Sequence, residues 1–159
     1  MLARSSVPAR HAGAGISLTI AHPGWRAAVP GVEALVRRAA RAAQAAARAR
    51  GPIAVLLADD AELARLNVSF RGRHSPTNVL SFPRPDGGGD IAIALQRAAR
   101  EARKTRRPLA HHLAHLVVHG TLHCAGRDHE DARAARRMEA EEARVLRRLG
   151  LPDPYRRKR

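Results

Sequence analysis

The chain has 159 residues, a formal net charge of +15 and one cysteine, Cys124. That length accommodates a single domain with its own core, and a lone cysteine excludes an intrachain disulfide framework and fits a reducing compartment such as the cytoplasm. No apolar run is long enough to span a bilayer or serve as a signal h-region, so no membrane partner is expected, whereas the charge favours a polyanion. Arginine supplies 27 of the 29 basic residues, a bias that a GC-rich genome also produces. In chain order, residues 1–14 read as a disordered leader. Residues 16–22 alternate apolar and polar side chains, as a half-buried strand does. Residues 31–50 form an amphipathic helix stopped by Gly51-Pro52. The unbroken apolar run 53–58 suits a central strand buried on both faces. Asp59 or Asp60 can cap a helix over 61–69. Short strands at 78–82 and 90–94 flank a loop rich in Pro and Gly. Helices follow at 95–104, 109–125 and 131–149, and Tyr155–Arg159 forms a short basic tail. The predicted fold is α+β: one domain over 15–152, with about four strands in a mixed sheet covered by about five helices.

The chemistry concentrates in one stretch, His119-Gly120-Thr121-Leu122-His123-Cys124-Ala125-Gly126-Arg127-Asp128-His129. Residues four apart share a helix face, so His119 and His123 can point at one atom. His115 lies eight residues before His123, roughly 12 Å along a straight helix, too far to join that pair on one ion. The third ligand must come from a chain that turns back. Gly126 can end the helix in a left-handed conformation and return His129 to the pair. Three neutral imidazoles leave a fourth tetrahedral position open, the layout of a catalytic rather than a structural zinc site. The spacing matches the extended zincin pattern except that Gly120 stands where the zincin glutamate supplies the general base. Glycine takes no proton, which argues against peptide hydrolysis and leaves phosphodiester chemistry open. Cys124 is rotated about 100° from His123 on a helix, so it reads as a buried thiol rather than a fourth ligand.

Three further blocks precede the histidines: Leu66-Asn67-Val68-Ser69-Phe70-Arg71, Thr77-Asn78-Val79-Leu80-Ser81-Phe82-Pro83 and Gly89-Asp90-Ile91-Ala92-Ile93. Together, over about residues 53–150, the four blocks resemble the YbeY family of metal-dependent endoribonucleases. The resemblance implies a zincin-like metal cleft in a single α+β domain. It implies one zinc ion held by His119, His123 and His129, and activity on single-stranded RNA. It further implies a role in 16S rRNA 3′-end processing and ribosome quality control, with the rRNA precursor and the small ribosomal subunit as partners. Arg71 matches the arginine that the family places near the metal. Its planar guanidinium suits bidentate phosphate binding, though an ordinary surface arginine fits the same position. Cys124, His74 and Arg127 depart from the family pattern, and Arg127 reads either as a phosphate contact or as an exposed side chain.

Other residues admit two readings. Asp128 can orient a histidine ligand or assist proton transfer, and can equally cap the helix that follows. His115, one turn before His119, can face the cleft or be a satisfied histidine on the surface or in the core. His111 and His112 read as solvent-exposed, and Asp90 either as a strand-end residue that helps shape the cleft or as a turn residue. Two other functions compete with the nuclease: a divergent zincin-like metallohydrolase or peptidase, and a non-enzymatic ribosome-associated factor with a structural metal. With two Phe, one Trp and one Tyr, the chain has no broad aromatic platform, so electrostatics would carry RNA binding.

Overall fold

The apolar run at 53–58 becomes the middle of the sheet because no polar side chain in it needs water. In a computed structural model that describes residues 15–71 and 78–156, the side chains of Phe70 and Arg71 excepted, all six residues of this strand are buried. Strand β1 (Ile16–Ile20) and strand β2 (Ile53–Ala58) run parallel, in register Ile16 to Ile53. Strands β3 (Val79–Pro83) and β4 (Gly89–Ala94) form an antiparallel pair, and β4 also runs parallel to β2. The order is β1-β2-β4-β3, the expected four-stranded mixed sheet.

Successive side chains of a strand face opposite ways, and the core divides accordingly. Ile53, Val55 and Leu57 join Ile91 and Ile93 on one face, beneath the helices α2 (Val32–Ala47), α5 (Leu109–Cys124) and α6 (Ala132–Arg148). Leu56, Ala58, Ala92 and Ala94 face the other way, against Leu63 and Leu66 of α3 (Asp60–Arg71). Helix α4 (Leu95–Lys104) follows β4 directly.

Six helices stand among the described residues rather than five. The addition is α1 (Gly24–Ala28), a five-residue turn too short to show a 3.6-residue period. It delivers Trp25 to the core, fully buried, with its indole Nε1–H donating to Ala58 O at 2.8 Å. Helix α2 ends earlier than the sequence suggested, at Arg48, which takes a left-handed conformation, and Gln44 Nε2 ties the returning chain by donating to Gly51 O. At α3 the cap is Asp59, whose Oδ1 accepts from Glu62 N–H at 2.8 Å. Asp60 instead accepts from Arg97 N–H and Arg100 Nη2, both at 2.9 Å, which joins α3 to α4. The leader 1–14, His74, Thr77 and the last three residues of the basic tail lie outside the described residues. No helix among the described residues is long and apolar enough to cross a membrane.

Candidate metal centre

Helix α5 is held against the sheet by its apolar side chains and by an absent one. Leu113, Leu116, Val117 and Leu122 are buried, and Gly120 sits where a Cβ would meet Ile91 Cγ2 at 3.0 Å and Ser81 Oγ at 3.1 Å. Position 120 therefore faces the sheet, and glycine there sets how closely the helix approaches it. The helix ends as its sequence suggests. Gly126 has φ +93°, Gly126 N–H donates to His123 O and Arg127 N–H to Leu122 O, both at 3.0 Å. This paired closure is a Schellman motif, and it reverses the chain within one turn. The reversal carries His129 back to the helix.

The three histidines converge. Their ring centroids are 4.6 Å apart for His119 and His123, 4.8 Å for His123 and His129, and 5.7 Å for His119 and His129. One potential ligand atom from each lies within 4.8 Å of the others, so these residues can hold a metal ion. His129 is exposed and His119 and His123 are half-buried, so the cluster opens to solvent on the His129 side. The donor chemistry fits. Burial, followed by the neighbouring charges of His119 and His129, pushes His123 down to about 4, so its imidazole is neutral, as a ligand must be, at physiological pH.

Beneath the cluster lies Glu142, which sequence reasoning missed. It is fully buried on α6, where its Oε1 bonds His119 Nδ1. Its Oε2 accepts from the Tyr155 hydroxyl and lies 3.1 Å from His115 Nε2, which is also 3.1 Å from Tyr155 Oη. Burial alone would raise this carboxyl, but the bonds from His115 and His119, the charge of His119 and the bond from Tyr155 outweigh it and hold Glu142 at about 2. Glu142 is thus a carboxylate that needs donors. By engaging Nδ1 of His119 it leaves that ring's Nε2 free to ligate, the relation in which a carboxylate fixes the tautomer of a metal-binding imidazole. Burial, together with the Glu142 bond and charge, raises the Tyr155 phenol far above its ordinary value, so it remains a donor. The missed signal was visible on α6. Met138, Glu142, Val145 and Leu149 fall on one helical stripe, and a lone acid on an apolar stripe asks for a buried partner.

The remaining predicted residues are distributed unevenly around this centre. Arg71 closes α3, and its side chain lies outside the described part. Asp128 is exposed in the turn before His129, with Oδ1 accepting from Glu130 N–H at 3.4 Å. The cap of α6 is Asp131, whose Oδ1 accepts from Ala134 N–H at 2.7 Å, not Asp128. Arg127 is neither free nor fully exposed, because its guanidinium pairs with both oxygens of Glu141 at 3.0 and 3.3 Å. His112 is not a solvent histidine. It lies 2.8 Å from Glu101 Oε2, which also accepts from Asn78 Nδ2 at 2.7 Å, so the Asn of the 77–83 block fastens the start of β3 to α4 and α5. Asp90 is a strand residue paired with Arg84 at 3.0 Å rather than a turn residue. Cys124 is a buried thiol, as its position suggested, and burial pushes it up to about 12.

Comparison with known proteins agrees with this geometry. A protein of Gluconobacter oxydans named Endoribonuclease YbeY is 48% identical over 158 residues, covering 94% of this chain and 91% of its own. One of the same name from Alkalilimnicola ehrlichii is 50% identical over 143 residues, covering 83% and 86%. The solution structure of a Thermotoga maritima protein shares the fold, with a TM-score of 0.56 at 23% identity, over 89% of this chain and 99% of that one. The family model described as Endoribonuclease YbeY matches residues 26–150, spanning β2, β3 and β4, the turned-back helix and all three histidines, and the chain therefore belongs to the YbeY family.

Proposed function

We propose that this protein is a zinc-dependent, single-strand-specific endoribonuclease that acts on ribosomal RNA precursors in the cytoplasm, including the 3′ end of 16S rRNA, and serves ribosome quality control on the small subunit. The observation that carries the reading is the convergence of His119, His123 and His129, with His119 oriented by a buried carboxylate. Membership of a family whose curated relatives are named endoribonucleases supports the substrate class. The net charge of +15 supports a polyanionic substrate.

His119, His123 and His129 would hold one zinc ion, with the fourth position left to substrate or water. Such an ion, when bound, supplies Lewis acidity that polarises a phosphoryl oxygen and acidifies a neighbouring water. Arg71 would grip a phosphate flanking the scissile bond through its planar fork and offset charge that develops during the displacement. Asp128, adjacent in sequence to His129, is the exposed carboxylate assigned to orienting that ligand or accepting a proton. His115 acts through Glu142, sharing the carboxylate that steadies His119. Gly120, facing Ile91 and Ser81, leaves position 120 without a base and weighs against a peptidase.

The test is cleavage of an end-labelled single-stranded RNA by the zinc-loaded protein beside His123→Ala purified identically. Cutting by the wild type alone, abolished by chelation, is expected. Equal cutting by both proteins, or none by a metal-loaded wild type, refutes the assignment. Arg71→Ala should remain folded and metal-loaded while cutting weakly. A 2′,3′-cyclic phosphate end would mean attack by the ribose hydroxyl, and a 5′-phosphate product attack by water.

A further inference from the structure

A second feature adjoins the centre and is not needed to hold the metal. The turn between α4 and α5, the C-terminal end of α6 and residues 151–156 enclose a groove of about 1680 Å³. Its walls carry Lys104, Arg106, Arg107, Arg147 and Arg156, and His115 also lines it. Leu146, Leu151 and the prolines beside them form an apolar floor. Arg107 is occupied in the fold, where its guanidinium donates to Pro154 O and fastens the C-terminal segment down. Lys104, Arg106, Arg147 and Arg156 are exposed, and among the described residues none of their side chains bonds a carboxylate or a carbonyl.

The bland explanation for cations here is that α4 and α6 both end at the groove, and basic residues offset helix C-termini. The magnitudes do not close. Two C-termini carry about half a negative charge each, and Asp153 is the one acid on the walls against five cations. Roughly three positive charges are left facing the same concavity.

We infer that this groove carries the sugar-phosphate backbone of a single-stranded RNA on its way to or from the metal centre. The inference rests on the endoribonuclease reading and extends it to where the strand lies. Three observations favour RNA as the occupant. The cations face a common concavity instead of pairing with acids. His115 lines the groove and shares the Glu142 carboxylate with His119, so a strand lying in the groove lies next to the histidine cluster. Tyr155, on the groove wall, is 42% exposed although its hydroxyl is fixed on Glu142, and so presents a rigid ring on which a base can stack.

The experiment measures binding of a fluorescein-labelled single-stranded RNA of about twenty nucleotides by anisotropy, in chelator, from about 50 to about 200 mM salt. The protein with Lys104→Gln, Arg106→Gln and Arg147→Gln is compared with wild type. It is also compared with a charge-matched control, Arg41→Gln, Arg48→Gln and Arg50→Gln, whose exposed arginines lie outside the groove. Loss of three phosphate contacts should flatten the slope of log K against log salt by about two units, at roughly 0.7 per contact for a single strand. Affinity should fall at least tenfold at low salt, and the control should stay within twofold of wild type. Equal losses in both variants would reduce the effect to net charge and overturn the inference. Wild-type binding by the groove variant would overturn it too, and capture of poly-glutamate by wild type but not by that variant would reassign the groove to an acidic protein. Binding is read without metal, so a wild type that binds through the groove but never cuts RNA would refute the nuclease reading alone. A nuclease whose binding ignores these residues would refute the groove alone.

Discussion

Replacing Glu142 by glutamine keeps the shape of the side chain and removes its charge and one acceptor. In the wild type both oxygens accept, Oε1 from His119 and Oε2 from Tyr155, with His115 Nε2 at 3.1 Å from the latter. A glutamine has one oxygen and one amide for these places. If the amide meets His119, Nδ1 must become an acceptor and the ring proton moves to Nε2, which then cannot ligate. If the oxygen meets His119, the bond survives but loses charge assistance, about half its strength. Either arrangement weakens the metal set. Loss of an outer carboxylate of this kind lowers metal affinity about 10- to 100-fold, equivalent to about 1.4–2.7 kcal/mol. The metal-free fold should lose about 1–3 kcal/mol, with relief from burying a charge offsetting part of the lost bonding. The assay is zinc competition against a chromogenic chelator near neutral pH, paired with urea unfolding of the metal-free protein. Zinc affinity within twofold of wild type would refute the claim that Glu142 orients His119.

Three further outcomes are expected. Tyr155→Phe removes one donor to a charged acceptor and should cost about 1.5–3 kcal/mol in urea unfolding, with a smaller change in zinc affinity than Glu142→Gln because the His119 bond is untouched. Gly120→Glu, which restores the zincin glutamate by sequence, should destabilise by about 3 kcal/mol or more and confer no peptidase activity, since the side chain is driven against Ile91 and Ser81; a stable variant would show that the helix has room to shift. Glu142 is held at about 2 in the fold against an ordinary 4.5. Its ionisation therefore contributes stability present above 4.5 and lost as pH falls toward 2. The gap in unfolding free energy between metal-free wild type and Glu142→Gln should narrow across that window, and a constant gap would contradict the assignment.

The elements themselves were legible in the sequence wherever a period or a run was long enough to count. The buried run 53–58, the five longer helices and the four-strand mixed sheet follow from local apolar patterning, because burial of one face is a local demand on the chain. The turn at Gly126 was equally local, since a positive φ after a helix selects glycine, and with it came the return of His129 toward His119 and His123. Helix α1 escaped because five residues display no period. What only the tertiary structure decided is which polar groups meet across elements. Asp59 and Asp60 compete for one cap in sequence, and α4 resolves them by offering Arg97 and Arg100 to Asp60. Arg127 and Asp90 look available until Glu141 and Arg84 claim them. The largest case is Glu142. Its position on an apolar stripe signals a buried partner, but residues 115, 119 and 155 are 27, 23 and 13 positions away. No local pattern names such partners, because packing α6 against α5 and laying the C-terminal segment over both is what brings their donors to one carboxylate.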